Sequence, residues 1–169
     1  MINSDELLFC VDENNNPIDP KPRSLVHTTG IWHRTSHIWV INNVGKILCH
    51  RRSLLKDNAP GQWSCFFGGH ISYKQTYLES AVSELFEEIN LKINKKELEE
   101  IFIYKLESGK EFNGVFILRW NGNISDLKPE SDEIDKIEWF SPNEIAGQYN
   151  RNKLNWYLPE YESKIFELV

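Results

Sequence analysis

The stretch that most constrains this chain is "GGHISYKQTYLESAVSELFEEINL", residues 68–91. It follows a β-rich run, opens on two glycines and then changes period. Leu78, Val82, Leu85 and Ile89 recur at spacings of four, three and four, which is one face of an α-helix. Thr76 with Glu79 makes a capping-box pattern, so the helix is predicted from about Thr76 to Asn90. Glu84, Glu87 and Glu88 stand at i, i+3 and i+4, so the helix is expected to bury one side and present three carboxylates from another. Like charges at that spacing repel by roughly a few tenths of a kcal/mol per pair. The ordinary explanation of such a run is a solvated acidic face. A hard divalent cation such as Mg²⁺ is the alternative, because it takes carboxylate oxygens and bridges to phosphates. Gly68 and Gly69 add weight to that alternative, since glycines let backbone carbonyls and amides approach a ligand closely.

The rest of the chain reads as strands with hairpins. "LLFCVD" (7–12) is a short strand, and "ENNNPIDPKPR" (13–23) is a loop rich in Asn, Pro and Asp. "HIWVIN" (37–42) and "KILCHR" (46–51) form a hairpin around "NVG"; "SLLKDNAPG" (53–61) is a loop and "WSCFF" (63–67) one short strand. "IFIYKLE" (101–107) and "EFNGVFILRW" (111–120) form a second hairpin, and "KIEWF" (136–140) is another strand. "SPNEIAG" (141–147) opens a helix on Ser-Pro, and "PEYESKIFELV" (159–169) is an amphipathic helix. Irregular alternation of strands and helices predicts a mixed sheet flanked by helices.

There is no internal repeat or linker, so residues 1–169 read as one domain. The 169 residues are 40% hydrophobic, enough for a sizeable core. No apolar run approaches the length of a membrane span, and "MINSDELLFC" lacks the basic-then-apolar pattern of a signal peptide. Cys10, Cys49 and Cys65 are odd in number and widely spaced, as in reduced, cytoplasmic proteins. A net charge of −6 argues against nucleic-acid polymers as partners while allowing a local basic pocket for a phosphorylated small molecule.

The 68–91 stretch resembles the Nudix hydrolases, whose box reads G-x5-E-x7-R-E-U-x-E-E-x-G-U. Set on Gly69, the chain supplies Glu84, Leu85, Glu87, Glu88 and Leu91; Gln75, Ser83 and Asn90 depart from it. Ser83 replaces an arginine that orients the glutamates, and Gln75 replaces a supporting carboxylate. Asn90 is milder, because Asn tolerates the left-handed turn that ends a helix. Beyond the box, "VDENNNPIDPKPRSLVH", "WHRTSHIWVINNVGKILCHRRSLLKDNAPGQWSCFFGGH" and "EIDKIEWFSPNEI" resemble the branch related to isopentenyl-diphosphate isomerase, from about residue 5 to 145.

The resemblance implies a Nudix fold, an α/β/α sandwich on a mixed sheet. It implies Mg²⁺ or Mn²⁺ held by Glu84, Glu87, Glu88 and the Gly68 carbonyl. Arg23, Arg52 and Lys56 match residues that hold a diphosphate, and of the Arg51–Arg52 pair the resemblance selects Arg52. His27, His33 and His70 match a second metal site, with Glu111 as the nearby acid. Glu87, Glu88 or Glu111 would serve as base, with Glu111 facing the helix glutamates. The isomerase carries a cysteine at the position of Gly68 and an arginine at that of Glu84. Cys65 does not align with that cysteine; it reads as a small core residue sharing a face with Phe67. Trp32, Trp39 and Trp63 read as core residues.

The reaction implied is hydrolysis of a diphosphate linkage in a nucleoside diphosphate derivative or related small molecule. The alternatives are a prenyl-diphosphate isomerase and a non-catalytic nucleotide- or metabolite-binding module. The resemblance also allows a homodimer.

Overall fold

The computed structural model describes residues 6–56 and 58–169, apart from the side chain of Leu154. Residues 1–5, on which part of the signal-peptide reading falls, and Asp57 in the loop 53–61 lie outside the described residues. Among the described residues no helix is long and apolar enough to cross a membrane.

In chain order the elements are β1 (Leu7–Leu8), β2 (Lys21–Pro22), α1 (Arg23–Thr29), β3 (His33–Ile41), β4 (Ile47–Arg52), β5 (Trp63–Ser64), β6 (Phe67–His70) and α2 (Tyr77–Ile89). Then come β7 (Leu98–Leu106), β8 (Glu111–Arg119), β9 (Ile134–Phe140), α3 (Pro142–Arg151), β10 (Trp156–Tyr157) and α4 (Glu162–Phe166). β1 and β2 pair as a small antiparallel ribbon. The other strands form one mixed sheet in the order β10-β5-β4-β3-β8-β7, with β6 also on β3 and β9 also on β4.

β3 is the centre of that sheet. It runs parallel to β8 from His33↔Glu111 to Ile41↔Arg119, and antiparallel to β6 from Thr35↔His70 to Ile38↔Phe67. Its side chains alternate between two cores, as the pleat requires. Ile38 and Val40 join Leu85 and Ile89 of α2; Trp39 and Ile41 join Ile145 of α3 and Ile165 of α4. Burial on both faces makes β3 read as a continuous apolar run. Helices thus cover both faces, as expected for an α/β/α sandwich. Trp39 is fully buried, whereas Trp63 is half-buried and Trp32 is half-buried beside Phe112.

α2 has the predicted bounds. Thr76 and Glu79 form the reciprocal capping box, and Asn90 ends the helix in the left-handed conformation at φ 54°. α3 starts on a second capping box, Ser141 with Glu144.

Four local readings need correction. "WSCFF" is two strands, because the chain changes partners: β5 pairs with β4 and β6 with β3. Ser64 Oγ donates to the Phe66 carbonyl at 3.0 Å across the break. The break sends Cys65 to the α3/α4 core and Phe67 to the α2 core, so they do not share a face. Residues 21–23, read as the end of a loop, are β2 and the first residue of α1, a helix that buries only Val26 and has no apolar period to read. The C-terminal helix is confined to Glu162–Phe166, and β10 precedes it, parallel to β5.

Gly68 sets how closely β6 and β3 approach. Its φ is +138°, and a Cβ there would lie 1.8 Å from the Ser36 carbonyl oxygen. Gly68→Ala is therefore expected to cost about 3 kcal/mol or more of unfolding free energy. Urea denaturation of the purified variant checks it, and a midpoint equal to that of the wild type would contradict it.

Candidate functional site

α2 packs on β6 and β3, and its three box glutamates do not share one solvated face: Glu88 is buried, Glu84 is half-buried and only Glu87 is exposed. Successive helical residues turn by about 100°, so Glu88 lies only about 60° round the helix from Leu85. Burying Leu85 and Ile89 therefore carries Glu88 inward. Glu88 is 9% exposed, and its Oε2 has no hydrogen-bond partner. Burial raises its carboxyl well above the usual range; Glu84 and Glu133 add to this, while the Gly68 amide and Arg52 oppose it. Glu84 is half-buried against Gly69, where a Cβ would come within 2.5 Å of its Oε1. Its carboxyl is pushed up to about 8 by burial first, then by Glu87, Glu133 and Glu6, with Lys56 opposing. Glu87 is exposed, and burial followed by Glu6 raises it more mildly.

The predicted basic residues come in from other elements. Arg52, at the end of β4, donates from Nε to the Asn58 carbonyl at 3.0 Å and lies within electrostatic reach of Glu88. Arg51 turns away to Asp135, with Nε 2.7 Å from Oδ2, so Arg52 is the inward member of the pair. Lys56 is ion-paired with Glu133, and Arg23 Nη1 stands 3.9 Å from Glu6. Ser83, at the arginine position of the box, lines a shallow apolar groove with Val82, Phe86 and Leu91. Glu6 and Glu133 were not singled out from the sequence. They lie far along the chain from α2, and no periodicity marks them.

The histidines do converge. His27 of α1, His33 of β3 and His70 of β6 bring ligand nitrogens within 4.8 Å of one another. His33 Nδ1 donates to the Ile31 carbonyl at 2.9 Å, which leaves Nε2 with its lone pair. Nε2 of His33 and of His70 are buried and unpartnered. Burial lowers all three imidazole pKa values; His33 and Arg23 add to this at His27 and His70. Neutral imidazoles with free lone pairs fit a metal ion. Glu111 stands with this group rather than with the helix glutamates: its Oε1 is 3.8 Å from His33 Nε2, and its Oε2 accepts from Asn113 Nδ2 at 2.9 Å.

Asn113 also borders a chamber of about 190 Å³ that the sequence did not foretell. Tyr104, Tyr157, Tyr161 and His37 supply four rings to its wall. His37 Nδ1 is 2.6 Å from the Tyr161 hydroxyl, and burial lowers its pKa to about 3, so its ring is neutral. The Arg52 guanidinium lies 5.9 Å from the centre of the Tyr157 ring. Tyr157 thus links the chamber to Arg52, and Asn113 links it to Glu111.

The donor sets fit cations. Glu88 keeps a buried, unpartnered oxygen, and the histidines keep buried, unpartnered nitrogens. The first set, all carboxylate, suits a hard ion; the second suits a transition metal.

Comparison with known proteins identifies the family. The family model described as NUDIX domain matches residues 32–160. The chain is 40% identical over 107 residues to Nudix hydrolase 3 of Arabidopsis thaliana, of which that match spans 14%. It is 32% identical over 162 residues to an uncharacterized Nudix hydrolase of Clostridium acetobutylicum, covering 86% of this chain and 78% of that one. It is 27% identical over 149 residues to the isopentenyl-diphosphate Delta-isomerase of Cutibacterium acnes, covering 80% and 73%. A crystal structure of a Deinococcus radiodurans protein superposes with a TM-score of 0.75 at 19% identity, over 96% of this chain and 98% of that one. With the box glutamates on α2, the glycine pair before them and the matched span from β3 to β10, the chain belongs to the Nudix hydrolase family, with a likeness that extends to its isopentenyl-diphosphate isomerase branch.

Proposed function

We propose that the chain, a single domain over residues 1–169, hydrolyses a diphosphate linkage in a nucleoside diphosphate derivative or related small molecule. The observation that carries this reading is Glu88: a buried carboxylate with an unpartnered oxygen, beside Gly68 and within electrostatic reach of Arg52. Leaving such a group unpaired is costly, and a cation offsets that cost. Glu84, Glu87, Glu88 and the Gly68 carbonyl are the residues that would hold Mg²⁺ or Mn²⁺. When bound, the ion neutralises phosphate charge and lowers the pKa of a coordinated water. Arg52 offers the fork geometry suited to phosphate oxygens, with Arg23 and Lys56 as further positive charges. Glu87, Glu88 and Glu111 are the candidate bases. Of these, Glu111 stands apart from the helix glutamates, next to the chamber. His27, His33 and His70 form a second metal site in this reading.

The chamber supports a ring-bearing leaving group. Planar rings stack on aromatic faces, and the neutral His37 ring and the Asn113 amide offer polar atoms in the same wall. Gly68 and Glu84 disfavour prenyl-diphosphate isomerisation, because they stand where that reaction's cysteine and arginine would be.

The deciding experiment is a panel of nucleoside triphosphates, nucleotide sugars, dinucleotides and prenyl diphosphates with Mg²⁺ or Mn²⁺, with phosphate, nucleotide and isomer release measured separately. Turnover is expected with at least one nucleotide, and Glu88→Gln is expected to lower kcat by about 100-fold or more. Binding without turnover across the panel would identify a non-catalytic module, and isomer release would identify the rival reaction. Tyr157→Ala is expected to raise KM about tenfold for a nucleotide substrate, since base stacking contributes roughly 1–3 kcal/mol. An unchanged KM would remove the ring from the chamber.

Cation binding should also depend on pH. Burial and the neighbouring acids push the Glu84 carboxyl up to about 8, so below that pH an arriving cation must displace its proton. Affinity for Mn²⁺ is expected to rise from pH 6.5 to 8.5, by up to about tenfold per unit, with proton release. Calorimetry in buffers of differing ionisation enthalpy checks the sign, and affinity that is flat across this range would contradict it.

A further inference from the structure

Two of the three basic side chains assigned above to the diphosphate already hold a carboxylate. Lys56 is ion-paired with Glu133, and Arg23 with Glu6 at 3.9 Å. Both acids are anchored. Glu6 Oε1 accepts from Ser72 Oγ at 2.6 Å. The Glu133 carbonyl accepts from the Ser53 amide at 2.9 Å, and the Glu130 amide donates to the Glu88 carbonyl at 2.8 Å, tying this segment to the loop after β4 and to the end of α2. Both acids also reach the cluster electrostatically: Glu6 pushes up Glu84 and Glu87, and Glu133 pushes up Glu84 and Glu88. Other ion pairs are placed differently. Arg51–Asp135 and Lys95–Glu79 are exposed, and neither acid is among the groups that shift the glutamates. That a ligand belongs among these groups is indicated independently by the buried, unpartnered Oε2 of Glu88.

We infer that Glu6 and Glu133 are place-holders that compete with substrate phosphate for Arg23 and Lys56. A diphosphate that takes the two cations releases both carboxylates beside Glu84, Glu87 and Glu88, where each adds negative charge for a divalent cation. Anion and cation then favour each other through this exchange as well as through direct contact, and the coupling is reciprocal. The inference rests on the diphosphate assignment of Arg23 and Lys56 made above.

Calorimetric titration with inorganic pyrophosphate in the absence of divalent ions tests it. Wild type, Glu133→Gln, Glu6→Gln, Lys56→Met and the double variant Lys56→Met/Glu133→Gln are compared, with thermal unfolding confirming that each is folded. Each glutamine variant is expected to bind pyrophosphate about threefold tighter or more, the range that a partly exposed ion pair supports. The gain from Glu133→Gln should vanish in the Lys56→Met background. In the absence of pyrophosphate, the same two glutamine variants should bind Mn²⁺ about threefold more weakly or worse. The place-holder role alone is overturned if Lys56→Met weakens pyrophosphate binding while the glutamine variants do not tighten it. It is also overturned if the gain from Glu133→Gln persists without Lys56, since that would be a general charge effect. Unchanged affinity in Lys56→Met overturns the diphosphate assignment of Lys56 and the place-holder with it.

Discussion

Position 68 carries no side chain because the Ser36 carbonyl occupies the space one would need. That close backbone approach fixes β6 on β3, and Gly69 beside it leaves room for the Glu84 carboxylate. α2 can then lie low on the strands, with Leu85 and Ile89 in the core and Glu88 drawn in alongside them. A side chain at position 69 would meet the Glu84 carboxylate at once, 2.5 Å from its Oε1. The raised carboxyls of Glu84 and Glu88 are thus a product of backbone packing as much as of the acids themselves.

The balancing charge is arranged differently from the family's box. No cation comes from α2, because Ser83 sits in an apolar groove. Arg52 and Lys56 come instead from the end of β4 and the loop after it, while Arg23, the first residue of α1, acts on the three histidines. Each of these side chains meets an acid or a carbonyl already in place. Charge therefore reaches the glutamates across the sheet rather than along the helix.

Much of this was legible where the signal is local. The capping box at Thr76, the left-handed Asn90 and the hairpin between β7 and β8 depend on neighbours within a few residues, and they stand as read. A mixed sheet flanked by helices followed from the alternation of strands and helices, and the sandwich from the resemblance to the family. The family's motif order singled out the three histidines, and they come together. What escaped depends on tertiary partners. The chain changes partners between β5 and β6 inside one apolar run, and no residue type announces it. The inward tilt of Glu88 follows from how much of α2 the core demands. Glu6 and Glu133 take their places from strand ends distant in sequence, and the ring chamber needs the C-terminal Tyr157 and Tyr161 folded back over β3 and β8.

The central pairing of β3 with β8 also has a consequence for order of assembly. β3, β6 and α2 lie within residues 33–89, so the glycines and the box glutamates are present on a growing chain before β8 exists. Glu111 and Asn113 enter only when β8 docks parallel to β3, a contact that closes a long loop and is intrinsically slow. Tyr157 and Tyr161 follow later still. The acidic half of the site is therefore the part built first, and the half next to the ring chamber waits for the end of the chain.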